Sequence, residues 1–247
     1  MNGIALVTYN RSENIGQIIE ALLKTKPIDS RLVVCDDGST DDTNYVCSQF
    51  SNITYIKGEN KGVGANKNRA LFTLQDCDFI AIIEDDLIPV EKGWFDDYLN
   101  ASIVTGIHHF CRVQENDKNV PESIPSFTEW MTSKNATPMY RESPRGDLTF
   151  ITKKVIKKVG AFHPDFIGVG GAHGEFSNRV FKANLIPHPL RWIDFKEVSK
   201  KFIQLGDQTG GRWLRPAKEV KQEIKRNSAL AKKLRATNYL YHHLVFP

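Results

Sequence analysis

Phe79-Ile80-Ala81-Ile82-Ile83-Glu84-Asp85-Asp86-Leu87-Ile88-Pro89 is the stretch on which the fold turns. Five apolar residues, without polar alternation, run straight into three carboxylates. A strand with one wet face alternates; a run apolar throughout suits a strand covered on both faces, as in a parallel sheet between helices. Three acids at the mouth of such a strand repel one another unless something positive sits among them. A hard divalent cation that takes oxygen ligands and shares them with phosphates and water resolves this. An acidic turn on a solvated surface is the plainer alternative.

Working outward, Ile4–Thr8, Arg31–Cys35 and Ile53–Ile56 are further short apolar runs. Between them, Asn14–Lys24 carries Ile15, Ile18, Ile19, Leu22 and Leu23 at helical spacing, with Ser12 or Asn14 available as N-cap. Thr40–Phe50 and Gly62–Leu74 also read as helices. Strand and helix alternating at this pace predict βαβ units, hence an α/β fold with a mainly parallel sheet flanked by helices. Ligands of such sheets bind outside the carboxyl ends of the strands. Those ends are Thr8-Tyr9-Asn10-Arg11, Asp36-Asp37-Gly38-Ser39, the loop leading into Asn60-Lys61-Gly62, and Glu84-Asp85-Asp86. All four are polar.

Beyond residue 90 the pattern changes. Pro121, Pro125, Pro138 and Pro144 mark a long irregular segment. A second ordered block follows over 146–185, with a strand at Leu148–Ile151 and helices at Lys153–Val159 and Glu175–Ala183. Asp147, behind Arg145-Gly146, either contacts a ligand or ends a turn. Trp94, Trp130 and Trp192 are candidate sugar-stacking platforms, with core burial as the ordinary reading.

The 247 residues are 40% hydrophobic and 25% charged, an ordinary globular composition. Four cysteines without CxxC spacing signal neither a zinc site nor a disulfide scaffold. No apolar run is long enough to span a bilayer, and the first residues lack a basic leader with a long apolar stretch, so a cytoplasmic location is expected. The net charge is +4, but Arg212–Arg235 holds nine basic residues against two acidic ones, so the rest is mildly acidic. That distribution, with no reader motif, excludes a body-wide nucleic-acid footprint. The basic segment 212–235 reads as a helix packing Val220, Ile224, Leu230 and Leu234 on the core, or as a peripheral contact with anionic lipid.

Five pieces now stand in order: TYNR (8–11), VVCDDGSTDDT (33–43), NKGVGANKNRAL (60–71), IIEDDLIP (82–89) and VGAFHPDFIGVGGAHGEFSNRV (159–180). Together they resemble the GT-A glycosyltransferases, most closely the family 2 type. The resemblance implies a GT-A domain over 1–205, with a nucleotide-sugar-binding half at 1–90, an acceptor-side half at 146–195 and a basic extension at 206–247. It implies transfer from a nucleotide-sugar, a UDP-sugar by analogy, to a glycan, polysaccharide or lipid-linked hydroxyl, with inverting ahead of retaining chemistry and Mn²⁺ or Mg²⁺. It leaves the oligomeric state open.

The resemblance also assigns residues. Thr8, Tyr9, Asn10 and Arg11 would lie along the base and ribose, and Asp36 or Asp37 would accept a hydrogen bond from the base. A carboxylate at 36 could instead cap the next helix. Gly62 and Lys67 belong to the glycine loop, where the family commonly has Arg; Lys67 keeps the charge without the bidentate fork. Asp85 would reach the ribose. Asp86, with Glu84, would hold the metal, and a late histidine, His188, would complete its shell, Asp194 competing and His242-His243 a third choice. Related enzymes place Glu-Asp after the glycine pair, where this chain has Ala172-His173. A neutral imidazole can accept a proton, so His173 stands ahead of Glu175 as general base. Arg179 orders Glu175, and Asp147 faces the acceptor.

Two other classes compete. A sugar-phosphate nucleotidyltransferase would want glycines directly after the first strand, and Thr8–Ser12 has none. A nucleotide-sugar or glycan-binding module with a degraded site is motivated by Ala172-His173.

Overall fold

A computed structural model describes residues 1–112, 146–187, 198, 200–205, 216–237 and 239–243. The prolines of 121–144, Trp130, Trp192, His188 and Asp194 lie outside those residues.

β1 (Asn2–Thr8), β2 (Ser30–Asp36), β3 (Thr54–Lys57) and β4 (Phe79–Glu84) form the parallel part of the main sheet. Its strand order is β3-β2-β1-β4-β7-β6, where β7 (Leu148–Thr152) and β6 (His109–Cys111) add antiparallel at one side. The later block therefore joins the sheet of the first half instead of forming its own. A two-stranded ribbon pairs β5 (Leu87–Pro89) with β8 (Phe202–Gln204).

The helices are α1 (Ile15–Thr25), α2 (Thr43–Ser48), α3 (Val63–Thr73), α4 (Trp94–Thr105), α5 (Lys153–Val159), α6 (Ala172–Lys182) and α7 (Ala217–Arg235). α1 turns Ile15, Ile18, Ile19 and Leu22, all fully buried, onto the sheet, as their spacing requires. Ile4–Leu6, Val34 and Ile80–Ile83 are fully buried, consistent with strands covered on both faces. Trp94 is also fully buried, edge-on to Phe95 and Phe202 in an aromatic core that includes Phe150, so it is no exposed sugar platform. Cys35, Cys47, Cys77 and Cys111 are buried, and none of them forms a disulfide among the described residues.

Two differences from the sequence reading matter for the site. α6 begins at Ala172, three residues earlier than the apolar pattern indicates, so His173 and Glu175 both sit in its first turn. α7 lays Val220, Asn227 and Ala231 against the body, with Leu230 and Leu234 partly buried there; Ile224 stays 40% exposed. Among the described residues no helix is long and apolar enough to cross a membrane.

Candidate active site

The carboxyl ends of β1, β2 and β4 meet at one edge, where Thr8 pairs with Asp36 and Val7 with Glu84. Asp85 ties the first loop down. Its carboxylate accepts from Thr8 Oγ1 at 2.7 Å, from the Tyr9 amide at 3.1 Å and from Arg11 Nε at 3.3 Å. Burial pushes the Asp85 carboxyl up, against Arg11 and these hydrogen bonds. Tyr9 is left 40% exposed beside it. Asn10, in the left-handed region, stitches the first loop to the second: its amide donates to Ser39 Oγ and its Oδ1 accepts from the Thr40 amide, both at 2.8 Å.

Asp36 and Asp37 are both committed inside the protein. Asp36, fully buried, accepts from the amide and hydroxyl of Ser39 at 2.8 and 2.6 Å and from the Tyr55 hydroxyl. It closes a turn and does not cap α2, whose first amide is held by Asp41 at 3.1 Å. Asp37 accepts from the Lys61 and Gly62 amides at 3.1 and 2.7 Å and from Arg69 Nη1 at 2.9 Å. Burial pushes Asp37 up while Arg69 pulls it down. Arg69, fully buried, is a site-shaping residue that sequence reasoning missed; its place two residues after Lys67 in the glycine-loop piece was the available signal.

Asp86 is different. Its Oδ2 accepts weakly from Gln204 Nε2 at 3.3 Å, and its Oδ1, buried, has no hydrogen-bond partner among the described residues. A buried carboxylate oxygen without a donor is costly unless a cation or water meets it. Among the described residues no group of three or more His, Cys, Asp or Glu side chains converges as a complete metal shell. One orphan carboxylate oxygen nevertheless fits Mg²⁺ or Mn²⁺, which take few protein ligands and fill the shell with phosphates and water.

Beyond β4, the Glu84 amide donates to the Asp147 carbonyl at 2.8 Å, joining the end of β4 to the start of β7. Asp147 is buried and paired with buried Arg112 at 2.9 Å, with the Leu148 amide on its other oxygen at 2.8 Å. Arg112 is a second missed residue; it follows β6, which is too short to register in the sequence.

Lys67, fully buried, donates to Glu84 Oε1 at 2.6 Å, to the Gly146 carbonyl at 2.6 Å and to His173 Nε2 at 3.0 Å. An ammonium has three hydrogens, and all three are used. Burial pushes Glu84 up to about 7, with Lys67 opposing and Asp86 adding to the rise. Burial, then the charge of Lys67, holds His173 well below the usual histidine range. His173 is thus neutral, with Nε2 as acceptor because Lys67 can only donate to it. Its side chain is 17% exposed. Glu175, by contrast, is 2% exposed and gripped on both oxygens by Arg179 at 2.6 and 2.8 Å. Arg179 also donates to the Val159 and Ala161 carbonyls.

The chain matches glycosyl transferase family 2 over residues 4–135, just over half its length. It belongs to that family. Chondroitin synthase of Escherichia coli is 35% identical over 72 residues, which are 28% of this chain and 10% of that protein. The O-antigen chain rhamnosyltransferase WbaN of Salmonella anatum is 31% identical over 72 residues, 29% of this chain and 23% of that protein. The family 2 chain thus aligns with only a small part of each relative. Among solved structures, S. aureus TarS in complex with UDP superposes with a TM-score of 0.55 at 18% identity, covering 73% of this chain and 54% of that one. Glucosyl-3-phosphoglycerate synthase from Mycobacterium tuberculosis, in complex with Mn²⁺, UDP and phosphoglyceric acid, gives 0.59 at 15% identity, covering 96% and 78%. The architecture is accordingly the GT-A fold.

Proposed function

We propose that this family 2 chain transfers a sugar from a nucleoside-diphosphate sugar, preferentially a UDP-sugar, to a hydroxyl of a glycan or lipid-linked acceptor, with the help of Mn²⁺ or Mg²⁺. The observation that carries the reading is the Oδ1 of Asp86, without a hydrogen-bond partner among the described residues, beside the loop that Asp85 assembles. Thr8, Tyr9, Asn10, Arg11 and Asp85 form the wall for base and ribose; Asp36 and Asp37 shape it by holding the neighbouring loops. Asp86 is the ligand for the divalent ion, with Glu84 beside it. When bound, the ion supplies positive charge to the diphosphate as it leaves.

The acceptor hydroxyl oxygen attacks the anomeric carbon as the bond to the diphosphate breaks, and its proton goes to His173. His173 is favoured over Glu175 because it is neutral and the more open, whereas both oxygens of Glu175 are on Arg179. Proton transfer to Nε2 requires Lys67 to release it. That requirement favours, as a second reading, a nucleotide-sugar-binding module without turnover. Release of UDP from a UDP-sugar separates the two.

Thermal unfolding with UDP, with and without Mn²⁺, tests the main reading. A ligand bound only to the folded chain raises its stability by RT ln(1 + [L]/Kd). UDP with Mn²⁺ should raise the Tm of the wild type and leave Asp86→Asn where it was. Equal stabilisation of both would remove Asp86 from the site; no stabilisation of the wild type by any nucleoside diphosphate would sink the function.

A further inference from the structure

The loop before α6, Phe166 to Gly171, touches three parts of the molecule. On one side it lies against the donor half: a Cβ at Gly62 would come within 2.8 Å of the Gly168 amide nitrogen. At its end it delivers Ala172 and His173 into the first turn of α6. On the third side stands α7. Asn227, fully buried, donates its side-chain amide to the Ile167 carbonyl at 3.1 Å and to the Val169 carbonyl at 2.9 Å. Glu223 accepts from the Val169 amide at 3.1 Å, and Arg226 donates to the Ile167 carbonyl.

Resting on the glycosyltransferase reading, we infer that α7 is a clamp on this loop and that Asn227 is a positioning residue for His173. The loop cannot hold its own shape. Gly168, Gly170 and Gly171 all have positive φ, which leaves the segment with the least intrinsic preference for one conformation. Nor does it have room to substitute stiffer residues: a Cβ at Gly171 would lie 2.8 Å from the Phe166 ring and 3.0 Å from the Asn227 carbonyl. Its conformation must be imposed from outside, and α7 does so by satisfying the backbone groups of Ile167 and Val169. α7 is itself fixed to the far end of α6, where Lys182 donates to the Arg235 and Thr237 carbonyls at 3.1 and 2.6 Å. The helix that carries His173 is therefore gripped at both ends by the basic C-terminal segment. Loss of the grip displaces His173 relative to the donor, which is costly because catalysis depends on near-attack geometry.

Three variants of the full chain test this: Asn227→Ala, Glu223→Ala and Glu223→Gln. Two readouts are needed, backbone hydrogen exchange and UDP release from a UDP-sugar in the presence of Mn²⁺. Asn227→Ala should speed exchange in 166–176 while peptides from 1–90 keep wild-type protection. Turnover should fall at least tenfold with the KM for donor unchanged. Glu223→Ala, more exposed and safer for folding, should do the same to a smaller degree, and Glu223→Gln, which keeps an acceptor for Val169, should recover most of the loss. Unchanged exchange at 166–176 in both alanine variants, or faster exchange spread over the whole chain with turnover intact, overturns the clamp. A wild type that releases no UDP overturns the glycosyltransferase reading instead, and the exchange data still decide whether α7 holds the loop.

Discussion

The proposed donor edge and the proposed acceptor side solve the same problem, polar groups at the mouth of a buried sheet, in different ways. At the donor edge three carboxylates are satisfied redundantly, Asp85 by three donors, Asp37 by three and Asp36 by three, and Asp86 is the exception. On the other side ionisable groups are tied directly to one another: Arg112 to Asp147, Arg179 to both oxygens of Glu175, and Lys67 to Glu84 and His173. Redundancy makes a rigid cradle that survives the loss of one contact. Direct pairing of ionisable groups makes a poised site in which one change leaves a specific buried group unpaired.

The comparison breaks first at His173. If the grip of Arg179 on both its oxygens keeps Glu175 out of the chemistry, His173→Ala should lower turnover by about 10²–10⁴-fold, the usual contribution of a general base, with donor binding nearly intact. Glu175→Gln, in contrast, should act mainly through stability, because it weakens a buried ion pair. A deeper turnover defect in folded Glu175→Gln than in His173→Ala would reverse the assignment.

His109 sharpens it further. This buried imidazole on β6 contacts Ser177 Oγ at 2.9 Å and the Phe150 carbonyl at 3.3 Å, and burial holds it down at about 4. The unfolded chain therefore binds a proton at this residue between about pH 6.5 and 4 that the folded chain refuses. Stability should fall as pH falls through that window, and His109 accounts for about 3 kcal/mol of the loss by linkage. Urea midpoints for wild type and His109→Gln across pH 4–7 should converge as the pH drops. Parallel curves would mean that His109 titrates normally.

Sequence separation explains what was readable. Asp36 meets Ser39 three positions away, and the strands and α1 are set by local apolar spacing; motif and periodicity sufficed there. Lys67 meets His173 across 106 positions and Asn227 meets Val169 across 58. No local pattern encodes such pairs. The sequence accordingly pointed to Lys67 as a nucleotide contact, whereas all its hydrogens lie on Glu84, Gly146 and His173. Arg112 was invisible for the same reason, since its partner Asp147 is 35 positions away. α7 was recognisable as a helix with one apolar face, but Asn227 in that face gave no sign that it serves two loop carbonyls.

The smallest effect is expected where redundancy is greatest. Thr8, almost wholly buried, gives Asp85 one of its three hydrogen bonds. Thr8→Val is close in shape and removes that donor alone. The Tyr9 amide and Arg11 still hold the carboxylate, so Asp85 is not left as an unpaired buried charge, the circumstance that makes polar deletions expensive. The loss should be about 1 kcal/mol, near the net worth of one hydrogen bond. UDP affinity should change little, because the loop from Tyr9 to Arg11 is still anchored to Asp85 and to Ser39. Chemical denaturation and UDP titration with Mn²⁺ measure both. A drop of 3 kcal/mol or more, or loss of UDP binding in a folded Thr8→Val chain, would mean that the three donors act as one cooperative unit. The donor edge would then be as brittle as the acceptor side, and the contrast between a redundant cradle and a poised site would fail.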